Sequence, residues 1–158
     1  MASVERTTHD NGEPIVLFLI GMRVNKPWLV HRWIPVMFAM PRMILELSRE
    51  KDSGLLAFRY ALAGGTLLVI QYWRSTADLE RYANDAKRLH RPAWLRFYRG
   101  AGPSGAVGIF HETYAVDAGR HESLYGNMPP FGLARATGGA ISLQEAKRRF
   151  ADRIPTAS

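Results

Sequence analysis

The 158-residue chain contains no cysteine. That absence removes disulfides, thiolate nucleophiles, cysteine-ligated zinc and iron–sulfur clusters as sources of stability or chemistry. It fits a reducing compartment, so a cytoplasmic location is expected. Long hydrophobic runs are absent too: none approaches the roughly 18 residues that a membrane helix requires. The longest, Pro14 to Met22, suits a strand and lacks the basic n-region and small-residue cleavage site of a signal peptide. No membrane insertion is expected. There is no P-loop and no G-x-S-x-G. Gly100-Ala101-Gly102 falls between a helix and a strand, whereas a dinucleotide loop follows a strand and opens a helix. Built-in NAD or flavin binding is not expected. Internal repeats and low-complexity segments are also missing.

What is present is an ordinary globular composition, 47% hydrophobic, with a formal charge of +7 and a pI near 10.1. The length suits one domain with a packed core. The basic residues are scattered. Their densest groups, Lys87–Arg88–His90–Arg91 and Lys147–Arg148–Arg149, are short, which reads as a solvated surface with no nucleic-acid partner.

Hydrophobic periodicity supplies the elements. Residues 1–13 are polar and expected to fray. Pro14–Val24 is a strand apolar on both faces. Residues 27–51 are helical in one or two pieces. Because Pro35 and Pro41 do not both suit a helix interior, the main helix is expected from about Pro41, with Asp52-Ser53-Gly54 as its stop. Leu55–Ala63 and Thr66–Arg74 flank Gly64-Gly65, a hairpin signal that pairs Ala63 with Thr66. That register puts Arg59 on one face with Ile70 and Tyr72, and Phe58 and Tyr60 on the other with Gln71 and Trp73. Ser75 offers an N-cap to a helix through Leu79, Tyr82, Ala83, Ala86 and Leu89. His90-Arg91-Pro92 is expected to break it before a short stripe of Trp94, Phe97 and Tyr98. Ala106–Val116 is a fourth strand. Gly119–Gly139 is irregular, and Ser142-Leu143-Gln144-Glu145 is a capping-box pattern opening a basic helix to about Arg153.

The order β-α-β-β-α-β plus a tail is the ferredoxin-like split arrangement, an α+β fold with a four-stranded antiparallel sheet and helices on one face. The expected organisation is residues 1–13 as a flexible N-terminus, 14–137 as the domain, and 138–158 as a C-terminal helix and tail. The second sheet face is apolar and needs cover. A second copy would provide it, giving a homodimeric α+β barrel.

Three segments carry a resemblance: Val69-Ile70-Gln71-Tyr72-Trp73-Arg74-Ser75, Gly108-Ile109-Phe110-His111-Glu112-Thr113-Tyr114, and Tyr125-Gly126-Asn127-Met128-Pro129-Pro130 with Phe131-Gly132-Leu133. Together they resemble the family of small proteins grouped with the monooxygenase of the fumagillin pathway, and more loosely the antibiotic-biosynthesis monooxygenases. The resemblance spans about residues 14–137. It implies a dimeric ferredoxin-like barrel and oxygenase chemistry on an apolar small molecule. No built-in cofactor is the first expectation and a haem the alternative, the latter with dehydratase-like or peroxidase-like chemistry. A non-catalytic dimeric ligand-binding protein is a third reading.

The candidate residues follow from chemistry. His111 can serve as a base near neutral pH or as an iron ligand, or it is a core or dimer-interface histidine bonded to a backbone group. Glu112 beside it points to the opposite face of a strand, so the pair cannot chelate one ion, and the second histidine of H-E-x-x-H is replaced by Ala115. Arg59, mid-strand among apolar neighbours, is either a clamp for an acidic or carbonyl group or a salt-bridge partner of Glu112. Asn127 is a turn residue or an amide donor to an oxyanion. Tyr72, Trp73, Tyr114 and Tyr125 are either candidate substrate contacts with polar handles or ordinary core and interface packing. Met37, Met40 and Met43 are an adaptable wall or core filling. His31 and His90 are expected at the surface or in a capping role.

Overall fold

The computed structural model describes residues 4–9, 11–139 and 141–143. Its centre is a four-stranded antiparallel sheet of β2 (Ile15–Val24), β3 (Leu55–Ala63), β4 (Thr66–Trp73) and β5 (Val107–Val116), in the order β3-β4-β2-β5. Helices α1 (Val30–Arg49), α2 (Thr76–Asn84) and α3 (His90–Arg99) belong with it. This is the ferredoxin-like arrangement, with the two crossover helical segments packed on one sheet face. The hairpin pairs Ala63 with Thr66 and Arg59 with Ile70. Gly64 and Gly65 both adopt positive φ, which is what a two-residue turn between twisted strands demands.

Strand alternation sorts the side chains. Val16, Phe18, Ile20 and Met22 of β2, with Val69 and Trp73 of β4, face the helices. Met43, Ile44 and Leu47 of α1 and Tyr82 of α2 close the core over them. Trp73 is the largest fully buried side chain, 1% exposed, and its indole N–H donates to Gln71 at 2.9 Å. Ser75 caps α2 by accepting from Asp78 N–H. Asp78 is buried and accepts from Arg74, Ser75 and Arg81. These contacts hold its carboxyl well below the usual carboxylate range, led by the Arg74 hydrogen bond.

Several expectations are corrected. Residues 27–51 contain one continuous helix, with Pro35 and Pro41 both inside it. Each proline leaves a carbonyl one turn earlier unbonded. Both lie on the exposed side, where water can serve that carbonyl while the buried stripe stays regular. Helix α2 stops at Asn84 rather than continuing through Leu89, because the Asp85 carboxylate accepts from Lys87 N–H at 2.9 Å and turns the chain. His90-Arg91-Pro92 opens α3 instead of merely breaking its predecessor. Proline is tolerated there because the N–H groups of a first turn have no intrahelical partner.

The N-terminal segment is not frayed throughout. Arg6–Thr8 forms β1, the middle strand of a small sheet with β6 (Tyr125–Gly126) and β7 (Ile141–Ser142), in the order β6-β1-β7. His9 is buried, its ring stacked 6.5 Å from that of His121, and its Nδ1 donates to the Gly139 carbonyl. The short helix α4 (Leu133–Thr137) lies between β6 and β7 in the chain and packs against β3. The expected basic helix from Ser142 to Arg153 lies outside the described residues, apart from Ser142 in β7 and Leu143.

Candidate functional site

Between the sheet and the helical layer lies a pocket of about 200 Å3. Its floor is apolar, with Ile20, Met22, Leu67, Val69 and Ile109 from the sheet. Helix α1 contributes Val36, Ala39, Met40 and Met43 to one wall, and α3 contributes Ala93, Trp94 and Phe97 to the other. The hydrophobic stripes of α1 and α3 face one another here, which is why the walls are apolar. Unbranched methionine side chains give α1 an adaptable surface. The polar lining consists of His31, Arg32, His90 and Arg96.

His90 has a defined local geometry. Its Nδ1 donates to the Ala83 carbonyl at 3.0 Å. That bond fixes the neutral tautomer and leaves Nε2 as the basic nitrogen. The ring sits between Tyr82, 6.0 Å away, and Trp94, stacked at 6.3 Å. Burial pushes the Tyr82 hydroxyl above the ordinary phenol range, helped by Glu46, which accepts from it at 3.1 Å. His31 and Arg32 are exposed in the first turn of α1.

The residues singled out from the sequence divide between the two sheet faces. Arg59, Tyr72 and Tyr125 come together on the side away from the helices. The Arg59 guanidinium lies over the Phe131 ring. A Cβ built on Gly132 would stand 3.0 Å from the Tyr72 hydroxyl oxygen. Tyr125 donates to the Phe131 carbonyl at 2.8 Å and accepts from Ala134 N–H at 3.3 Å. Burial raises the Tyr72 hydroxyl above its ordinary value, Tyr125 adds to the rise and Arg59 opposes it. Tyr114 shares this face but sits on β5 at the opposite sheet edge, donating to Glu112 at 2.7 Å.

His111 and Trp73 belong to the helix-facing side instead. His111 is exposed on edge strand β5, its ring 5.8 Å from that of Phe18, and it does not line the pocket. The ring stands at the exposed sheet edge beside the pocket floor, its β2 partner Ile20 and its strand neighbour Ile109 both lining the cavity. Trp73 is core. Asn127 adopts positive φ and accepts from Glu5 N–H at 2.9 Å; its role here is to clasp β6 to the N-terminal segment. The Arg59–Glu112 ion pair is corrected: β3 and β5 are opposite edges of the sheet, roughly 14 Å apart at the usual strand spacing. His31 is exposed and His90 serves the Ala83 carbonyl in the last turn of α2, the surface and capping roles read from the sequence, and both also line the pocket. A signal for them exists: α1 and α3 each carry a His-Arg pair and no acid in the first turn.

Residues 15–133 match the family model described as Monooxygenase af470-like. The chain belongs to this family. Among curated proteins it is similar to Monooxygenase af470 of Aspergillus fumigatus, 31% identical over 131 residues, which cover 77% of this chain and 46% of that protein. The chain therefore spans about half the length of that relative. Among solved structures, aldoxime dehydratase superposes with a TM-score of 0.64 at 22% identity, covering 86% of this chain and 42% of that one. SnoaB, a cofactor-independent oxygenase from Streptomyces nogalater, gives a TM-score of 0.45 at 11% identity, covering 63% of this chain and 90% of that one. No helix among the described residues is long and apolar enough to cross a membrane.

Proposed function

We propose that this family member is a small monooxygenase acting on an apolar, electron-rich small molecule held in the pocket between α1, α3 and the sheet. The observation that carries this reading is the pocket itself: an apolar floor and walls, with a histidine whose tautomer is fixed at its border. Family membership supplies the reaction class. His90 Nε2 takes a proton from an acidic C–H of the bound substrate, and the resulting carbanion reacts with dioxygen. For a methylene group the balance is CH2 + O2 → C=O + H2O, so the substrate supplies all the electrons and no resident cofactor is required. Apolar walls favour this route, because they limit the water around the carbanion.

The open sheet face supports a homodimer. Phe110 and Tyr114 are 41% and 48% exposed there, and the strip between β5 and the segment over Arg59 is apolar. A second copy would cover that strip. Arg59, Tyr72 and Tyr125 would then border the interface and position the segment around Phe131.

The test uses anthrone, a polycyclic compound with an acidic methylene group, as a probe. Oxygen uptake should match ketone formation one to one and fall to the buffer rate in Ala39→Trp, which fills the pocket. Uptake no faster than buffer with the wild-type protein, or an undiminished rate in the filled variant, overturns the proposal.

A further inference from the structure

We infer that the pocket selects apolar molecules bearing an anionic oxygen group, a carboxylate in the simplest case, with the charge seated between Arg32 and Arg96. This rests on the pocket being a ligand site, as proposed above, and adds the class of ligand. Arg32 lies in the first turn of α1, and Arg96 lies one turn before the end of α3. The two helix ends meet: a Cβ built on Gly100 would stand 3.2 Å from the Arg96 carbonyl oxygen and 3.9 Å from Arg32 Nη1. Both arginines line the pocket, together with His31.

No carboxylate does. Every acidic residue is absent from the pocket lining, and among the described residues neither guanidinium forms a salt bridge or a side-chain hydrogen bond. Elsewhere in the helical layer Arg74 and Arg81 pair with Asp78, and Arg88 with Glu50 and Asp85. Placing Arg32 in the first turn of α1, with no acid there, sets a cation against the positive end of the helix dipole. An anion seated there relieves that strain and offers each planar fork a partner. The apolar remainder of the same molecule then lies along Met40, Met43 and Val69.

Decanoate and decanol, matched in chain length, separate charge from apolarity when their binding is measured by isothermal titration calorimetry. The wild-type protein should prefer decanoate by about tenfold, the scale of two partly exposed charge contacts. That preference should vanish in R32Q/R96Q and persist in R32K/R96K. Arg49→Gln, an exposed arginine at the far end of α1, should leave it unchanged. Equal affinity for the two compounds in the wild-type protein, or a preference surviving in R32Q/R96Q, overturns the anion site while leaving the apolar pocket standing. Failure of both compounds to bind overturns the pocket reading as well.

Discussion

The guanidinium carbon of Arg59 sits 3.7 Å from the centre of the Phe131 ring. This contact joins β3 to the segment that carries β6 and α4 across the sheet. Phe131→Ala and Arg59→Ala are each expected to lower unfolding free energy by about 1–2 kcal/mol. The double variant should lose little more than either single one, because the contact is shared. Urea denaturation of the four proteins checks this; strictly additive losses would show that the two side chains do not interact.

Asp78 links stability to pH. Its carboxyl is depressed in the folded protein, chiefly by the Arg74 hydrogen bond. Its contribution is therefore complete above the ordinary aspartate value of about 3.9 and is lost as pH falls toward the depressed one. The stability gap between wild type and Asp78→Asn should be widest near pH 7 and narrow below about pH 4. A gap of constant size in denaturation curves across that range would contradict the assignment.

Gly54 adopts a φ of +84°, and a Cβ there would meet the Asp78 side chain at 2.4 Å. Asp78 is pinned by its partners and cannot retreat. Gly54→Ala should destabilise the protein by more than the roughly 1 kcal/mol expected of a left-handed alanine alone. Thermal unfolding measures it, and an unchanged midpoint would mean that the α2 start yields easily.

The two histidines should separate in turnover. His90→Ala is expected to reduce oxygen uptake with the anthrone probe by about 10²–10⁴-fold, the range for removing a general base. His111→Ala should leave it close to wild type, since that ring does not line the pocket. The reverse pattern would move the chemistry to the sheet edge.

The sheet was legible in the sequence because its strands are short runs rich in β-branched and aromatic residues and Gly64-Gly65 fixes the register of the β3–β4 hairpin. The N-cap of α2 was legible because Ser75 precedes an amphipathic stripe. The unbroken α1 was not, because the tolerance for Pro35 and Pro41 depends on which side of the helix meets solvent, a property of the folded layer. β1 was missed because its Arg-Thr-Thr run is polar; it pairs through backbone groups and little apolar pattern marks it. The Gly64-Gly65 register puts Arg59 and Tyr72 on one face and Trp73 on the other, but the approach of Tyr125 to the first pair depends on the long segment after β5, which no local pattern marks. The pocket depends on how α1 and α3 approach each other, contacts between residues far apart in sequence. Its histidines therefore looked like surface residues.

The order β6-β1-β7 leaves the two outer strands with no ladder between them except through Arg6–Thr8. A chain shortened to start at Ile15 would keep every strand of the main sheet, yet it would remove the ladder that holds β6 and β7 side by side across Arg6–Thr8. Trimming those few polar residues as dispensable would thus loosen the flap resting on Arg59 and Tyr72, although that flap begins at Tyr125, far along the chain from the cut.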